Sequence, residues 1–166
     1  MIEQGKLLWN QRTDQLAMDK ADHFINLAHK QRPKDFELSI LMGQINHHKA
    51  YFIETEDGKK DSLFLEGSRI CKNAVINHPD FYAVYNKARG DSTFRLLSAI
   101  ADAPKPVVPG LYWWAVNLAY YLINKPVLAR LNQRELMETI MHRVLALEPG
   151  FHFSGPYRFF GLLYTR

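Results

Sequence analysis

One run of the 166-residue chain is apolar at nearly every position: Leu111-Tyr112-Trp113-Trp114-Ala115-Val116-Asn117-Leu118-Ala119-Tyr120-Tyr121-Leu122-Ile123. Asn117 is the only strongly polar residue within it. A helix that is apolar on all sides is normally buried among other helices. The run therefore predicts a central helix over residues 111–123.

Upstream of this run, apolar residues recur at three- and four-residue intervals, as they do along one face of a helix. At the N-terminus they predict a helical hairpin that is broken near Thr13 and Asp14. Asp35 is the expected cap of the next helix, whose apolar positions extend to Phe52. Residues 54–61 are polar and lack periodicity, so they are predicted to form a loop.

Prolines and glycines divide the middle of the chain. A fourth helix follows the loop and ends before Pro79. The next helix is expected over about residues 80–101, where Gly90 can split it into two shorter helices. Residues 103–110 contain three prolines, which predicts a rigid extended connector, because proline is not tolerated inside a helix.

The C-terminal third continues the helical pattern. Asn132 or Gln133 is expected to open a helix through Leu147, and a last aromatic helix covers about residues 156–164. No segment has the pattern of a strand. The sequence thus predicts an all-α fold in one domain spanning residues 1–166.

Charge and composition narrow the function classes. The chain has 47% hydrophobic residues and a formal net charge of +4. Its basic residues are interspersed with acidic ones, since Lys59 and Lys60 stand beside Asp57 and Asp61. Nucleic-acid binding needs clustered basic residues, so no nucleic-acid partner is expected.

Cysteine content and hydropathy exclude further classes. Cys71 is the only cysteine, so neither an intrachain disulfide nor a cysteine-rich zinc site can form. No stretch approaches the ~18 to 20 apolar residues of a membrane span, and the N-terminus lacks the apolar core of a signal peptide. The sequence by itself is compatible with a cytoplasmic protein.

The histidines do not have the spacing of a helical zinc site, which uses pairs four residues apart with an acidic partner. The pairs nearest in sequence are His23 with His29 and His47 with His48. No metal site and no cofactor are therefore expected.

No catalytic motif is present either. Neither Ser92 nor Ser154 has a glycine on both sides, as a nucleophile elbow requires, and no phosphate-binding glycine loop occurs. Asp91 and Ser92 have instead the pattern of a helix cap. The chain is expected to be non-enzymatic.

Three helices end in a similar way, which suggests repeats. A small or apolar residue lies five positions before Pro33, Pro79 and Pro149, as in the second helix of a tetratricopeptide repeat. The first spacing is about one repeat of ~34 residues plus an insertion, and the second is about two repeats. Trp9 falls where such a repeat usually carries glycine. Diverged tetratricopeptide-like repeats forming an α-α superhelix are predicted, with an irregular helical bundle as the alternative.

Four motifs carry a family resemblance. They are residues 5–14 (GKLLWNQRTD), the segment 66–74, residues 111–118 (LYWWAVNL) and residues 147–161 (LEPGFHFSGPYRFFG). In this order they resemble the TatT family, the T-components associated with tripartite ATP-independent periplasmic (TRAP) transporters. The two C-terminal motifs are much more specific than the repeat periodicity.

The resemblance implies a function that the residues alone do not. It implies a periplasmic homotrimer that engages the transporter's solute-binding protein and holds an apolar small molecule in an internal cavity. The family usually continues beyond the position of Thr165-Arg166, so truncation at the C-terminus relative to the family is expected. The alternative is a cytosolic tetratricopeptide-type scaffold that binds peptides in a concave groove.

The aromatic clusters supply the candidate ligand- or partner-binding residues: Tyr112, Trp113, Trp114, Asn117, Tyr157, Arg158 and Phe160. Aromatic residues in such clusters either form the core or line a cavity. Neighbouring residues of a helix point about 100° apart, so one of the two adjacent tryptophans is free to face a pocket. Arg158 is expected either to bind a carboxylate or to bond backbone carbonyls at a helix end. Gly155 and Gly161 are expected to permit close backbone approach.

Overall fold

The computed structural model describes residues 1–165. These residues form nine α-helices and no strand. The helices are α1 (Ile2–Asn10), α2 (Gln15–Gln31), α3 (Phe36–His48), α4 (Asp57–Ile76), α5 (Pro79–Lys87), α6 (Ser92–Ala101), α7 (Val108–Leu122), α8 (Val127–Leu147) and α9 (Phe151–Thr165). A π-helical turn, Lys49–Ile53, follows α3, and a 3-10 turn, Lys105–Val107, precedes α7. The all-α prediction is confirmed.

Aspartates begin three of the helices. The carboxylates of Asp14, Asp35 and Asp91 each accept a hydrogen bond from the backbone N–H three residues on, at 2.8, 3.1 and 2.9 Å. Such bonds satisfy N–H groups that have no partner inside the helix. The predicted break near Thr13 and Asp14 and the two predicted caps are confirmed.

Helix α7 lies at the centre of the molecule. Most of its 15 residues are buried, and it packs against α3, α4, α8 and α9. Its most extensive contact is with α4, where Gly67 lies against the Asn117 side chain. The prediction of a buried central helix is confirmed.

Consecutive helices pair around this centre. Helix α1 packs on α2, α3 on α4, and α7 on α8. A second apolar cluster between α2 and α3 is built around Met18, Ile25 and Ile45. The last helix, α9, packs mainly on α8 and less on α7. Its aromatic residue Phe159 is thereby buried within the chain.

Two loop predictions are wrong. The segment 103–110 is not an extended connector, because the 3-10 turn occupies its middle and Val108 starts α7 with Pro109 in the first turn. Proline suits this position because its missing N–H needs no partner there. The polar loop is also shorter than predicted, since α4 already begins at Asp57, whose acidic side chain favours the first turn.

Two helix boundaries were misplaced or left open by the sequence. Helix α8 begins at Val127, directly after Pro126, and not at Asn132 or Gln133 as predicted. Gly90 does split the segment 80–101, with a φ of 109° that L-residues rarely adopt.

Candidate functional site

The site is organised by Asn117, which is 0% exposed in the middle of α7. Its Nδ2 donates hydrogen bonds to the carbonyl of Trp113 at 2.9 Å and to that of Gly43 on α3 at 3.2 Å. Both amide protons are thereby used, so Oδ1 is the acceptor for His47 Nδ1 at 3.2 Å. This arrangement assigns the proton of the neutral imidazole to Nδ1 and makes Nε2 an acceptor.

His47 is surrounded by aromatic rings. Its ring centroid lies 5.0 Å from Tyr120, 5.3 Å from Phe64 and 5.4 Å from Trp113, and it stacks on Tyr51 at 6.1 Å. Burial lowers the pKa of His47 to about 4, against the hydrogen bond to Asn117, which favours the charged form. The side chain is therefore uncharged at neutral pH.

A cleft of about 420 Å³ opens beside this cluster. It lies between the end of α1, the π-helical turn after α3, the middle of α7 and the start of α9. Its walls are aromatic and basic: Trp9, Arg12, Gln44, His47, His48, Tyr51, Phe52, Trp113, Tyr120, His152 and Arg158. Within the described residues, no Asp or Glu lines this cleft.

Unusual backbone flanks the cleft on two sides. The π-helical turn Lys49–Ile53 places Tyr51 and Phe52 at one edge. On the other side, His152, Phe153 and Ser154 have φ values of 47°, 57° and 57°. Left-handed backbone costs an L-residue roughly 1–2 kcal/mol, and such strain is concentrated at functional sites.

Arg158 holds the left-handed turn. Its Nη2 donates to the carbonyl of His152 at 2.6 Å, so it makes a backbone-carbonyl bond of the structural kind. Burial lowers the pKa of His152, and the positive charges of Arg158 and Arg12 lower it further. Both guanidinium groups therefore lie close enough to His152 to act on its charge.

Arg12 lies at the opposite wall. Its guanidinium stacks over the Trp9 ring at 4.6 Å, and its Nη1 donates to the Trp9 carbonyl at 3.1 Å. Its charge also helps burial to lower the pKa of His48. Within residues 1–165, neither Arg12 nor Arg158 forms an ion pair. The cleft therefore carries uncompensated positive charge.

The two adjacent tryptophans face different surroundings, as the helical geometry requires. Trp113 borders the cleft and is 7% exposed, and its indole Nε1 is buried without a hydrogen-bond partner among the described residues. Trp114 is buried away from the cleft, with Lys72 Nζ 5.8 Å from its ring.

Other predicted residues stand outside the cleft. Tyr112 is buried against Gly155, where an added Cβ would lie 2.6 Å from the Tyr112 ring carbon Cζ, so the predicted close approach is confirmed. Tyr157 is exposed on α9, and Phe160 packs against His142 with ring centroids 4.6 Å apart. Gly161 has no neighbour that close, so its predicted role is wrong.

The sequence analysis missed most of the cleft. His47 and His48 were considered only as metal ligands, Arg12 only within a motif, and Trp9 only within that motif and the repeat pattern. Two helical spacings were a usable signal: His47 with Tyr51 and His48 with Phe52 are four residues apart and meet as ring pairs.

A second, apolar groove of about 170 Å³ lies between α7, α8 and α9. Its lining includes Leu122, Val127 and Phe159. Arg134 at this groove forms an ion pair with Glu138 at 2.9 Å. The charge of Arg134 is therefore compensated.

These features define an all-helical protein with an aromatic and basic cleft. Across the part of the chain that the structure describes, no group of three or more His, Cys, Asp or Glu side chains is placed to hold a metal ion. Among the same residues, no helix combines the length and apolar character needed to cross a membrane.

A family model described as TRAP transporter T-component (TAtT) matches residues 15–166. The chain belongs to this family, as its sequence motifs predicted. Membership associates the protein with a TRAP transporter system. No curated protein matches the chain.

Proposed function

We propose that the protein is a non-enzymatic binding scaffold of a TRAP transporter, which engages the transporter's solute-binding protein and holds a small molecule with an apolar body. The observation that carries the proposal is the cleft beside Trp113 in a member of the T-component family. Its volume lies within the range of ligand sites, and its walls are mostly rings.

The proposal includes a tetratricopeptide-like architecture. Paired helices α1/α2 and α3/α4 pack in sequence, and Pro33, Pro79 and Pro149 each follow a helix end, as repeat units would require. In this architecture the cleft lies where the first two pairs meet α7 and the start of α9.

Exposed aromatic side chains next to the cleft support a protein partner. Phe52 is 69% and Phe153 is 86% exposed, and both flank the cleft on the two unusual backbone turns. Tyr51, on the same turn as Phe52, is exposed as well. Aromatic residues and arginine are enriched at the centres of protein interfaces, so this rim is the proposed contact for the solute-binding protein.

The test is sedimentation velocity of the purified chain with the solute-binding protein of its own TRAP transporter. A complex at micromolar concentration is expected, and the double variant Phe52→Ser/Phe153→Ser should weaken it ~10-fold or more. Tyr82→Ser is the matched control, since it removes a 57% exposed aromatic ring from α5, which does not contribute to the cleft. Absence of a complex at about 100 μM of both proteins contradicts the proposal.

The oligomeric state and location form part of the proposal. The family resemblance implies a homotrimer, and association of copies is supported by exposed apolar side chains at the start of α8, namely Val127, Leu128 and Leu131, which a neighbouring copy would cover. Light scattering after gel filtration should give three times the chain mass. Fractionation of the native host should place the protein in the periplasm, and recovery in the cytoplasm supports instead a scaffold unconnected with transport.

A further inference from the structure

We infer that the cleft beside Trp113 binds an organic anion, specifically a carboxylate attached to a flat apolar body. The inference deepens the proposed function, since it names the ligand class of the same cleft. It rests on two independent features of the site: its charge, and the shape and chemistry of its walls.

The positive charge of the cleft favours an anionic ligand. Arg12 and Arg158 both line it, both act on His152, and neither has an acidic partner within residues 1–165. Like charges that face one cavity repel each other, so an anion placed between them lowers the electrostatic energy.

Guanidinium geometry favours a carboxylate. Arg158 uses Nη2 for the His152 carbonyl and Arg12 uses Nη1 for the Trp9 carbonyl, so each retains other N–H donors. An arginine fork matches the two oxygens of a carboxylate and forms charge-assisted hydrogen bonds with them. The two backbone bonds hold both side chains in place before the ligand arrives.

The walls favour a flat apolar body. Trp9, Tyr51, Phe52, Trp113 and Tyr120 supply ring faces and edges around the opening. Rings of a ligand would pack against them by stacking or edge-to-face contact. An anion without such a body would leave this apolar surface in water.

The indole N–H of Trp113 belongs to a ring that borders the cleft. It is buried and unpartnered among the described residues, and an unsatisfied buried donor costs about 1–3 kcal/mol. The same donor is the natural spectroscopic probe for occupancy.

Isothermal titration calorimetry of the whole purified chain tests the inference, with 3-phenylpropionate as the probe. Its amide, 3-phenylpropionamide, has the same body without the charge, and acetate has the charge without the body. We expect saturable binding of the acid below about 1 mM, and at least ~10-fold weaker binding of the amide and of acetate.

Arginine variants locate the anion. Arg12→Gln should weaken binding of the acid ~10-fold while leaving the amide unaffected. Arg158→Gln should act in the same direction, and Arg12→Gln remains decisive if the loss of the His152 bond prevents that variant from folding. Arg89→Gln is the control, because it removes the same charge from an exposed position between α5 and α6.

Three results would overturn the inference. These are equal affinity for acid and amide, equal weakening by Arg12→Gln and Arg89→Gln, and no binding of the acid at about 10 mM. The titration uses the chain alone, so its failure is separate from failure of the complex with the solute-binding protein.

Discussion

Acidification should destabilise the fold through His47. The pKa of this histidine is about 4 in the folded chain because burial disfavours the charged ring. A histidine that is fully exposed to water has a pKa of 6.5. Between these two values the unfolded chain binds a proton that the folded chain does not. The stability contributed by neutral His47 is therefore present above the unfolded pKa and is lost as the pH falls towards the folded pKa.

The magnitude follows from the two pKa values. Between pH values near 7 and near 5, the difference in proton binding lowers the free energy of unfolding by about 2 kcal/mol. Most carboxylates are still ionised in this window. The other histidines whose pKa is lowered, His29, His48 and His152, add to the slope, so the share of His47 is measured as a difference from a variant that lacks it. Because the side chain keeps some contact with solvent, about 2 kcal/mol is the upper end of the expected effect.

Urea denaturation of the wild type and of His47→Gln at about pH 7 and about pH 5 measures this loss in the free energy of unfolding. Glutamine keeps a donor for Asn117 but takes up no proton, so the wild type should lose up to about 2 kcal/mol more than the variant on acidification. The NMR titration of the His47 Cε1 proton should have its midpoint near 4. Equal losses in both proteins, or a midpoint near 6.5, would refute the reasoning.

Three further predictions concern the core and the caps. Gly43→Ala should destabilise the chain by about 1–3 kcal/mol in urea denaturation, since its Cβ would overlap Cys71 Sγ, whereas Gly58→Ala, with open space around it, should be neutral or stabilising. Asp91→Ala should cost about 1 kcal/mol in thermal unfolding, because the N–H of Phe94 loses its acceptor. The Cys71 thiol should react with Ellman's reagent only on unfolding, because burial raises its pKa; rapid reaction of the native protein would contradict its placement.

The fold was predictable where one local interaction dominates. Helix α7 is apolar on all sides, so only a central position suits it, and Asp35 and Asp91 have side chains that satisfy N–H groups of a helix start. Pro109 was misinterpreted because a proline-rich segment can be either an extended connector or a helix start. The difference depends on whether the next residues are buried, which is a property of the tertiary structure.

The cleft was less predictable because it depends on left-handed backbone that no local sequence signal, such as glycine, indicates. Three successive residues without glycine, His152 to Ser154, adopt left-handed conformations, and the Arg158 bond to His152 helps to hold them there. Contacts between residues far apart in sequence also decide the role of His47, since its proton is assigned by Asn117 on another helix. On sequence spacing alone, His47 was considered only as a metal ligand.

The indole N–H signals of the three tryptophans test the central claim most directly, namely that the cleft beside Trp113 is the ligand site of this T-component. In a ¹H–¹⁵N titration with 3-phenylpropionate, the Trp113 and Trp9 signals should shift together and saturate, because both rings line the cleft. The Trp114 signal should stay in place, because this ring is buried away from the cleft. A shift confined to Trp114, or no shift of the Trp113 signal at saturating ligand, would contradict the account.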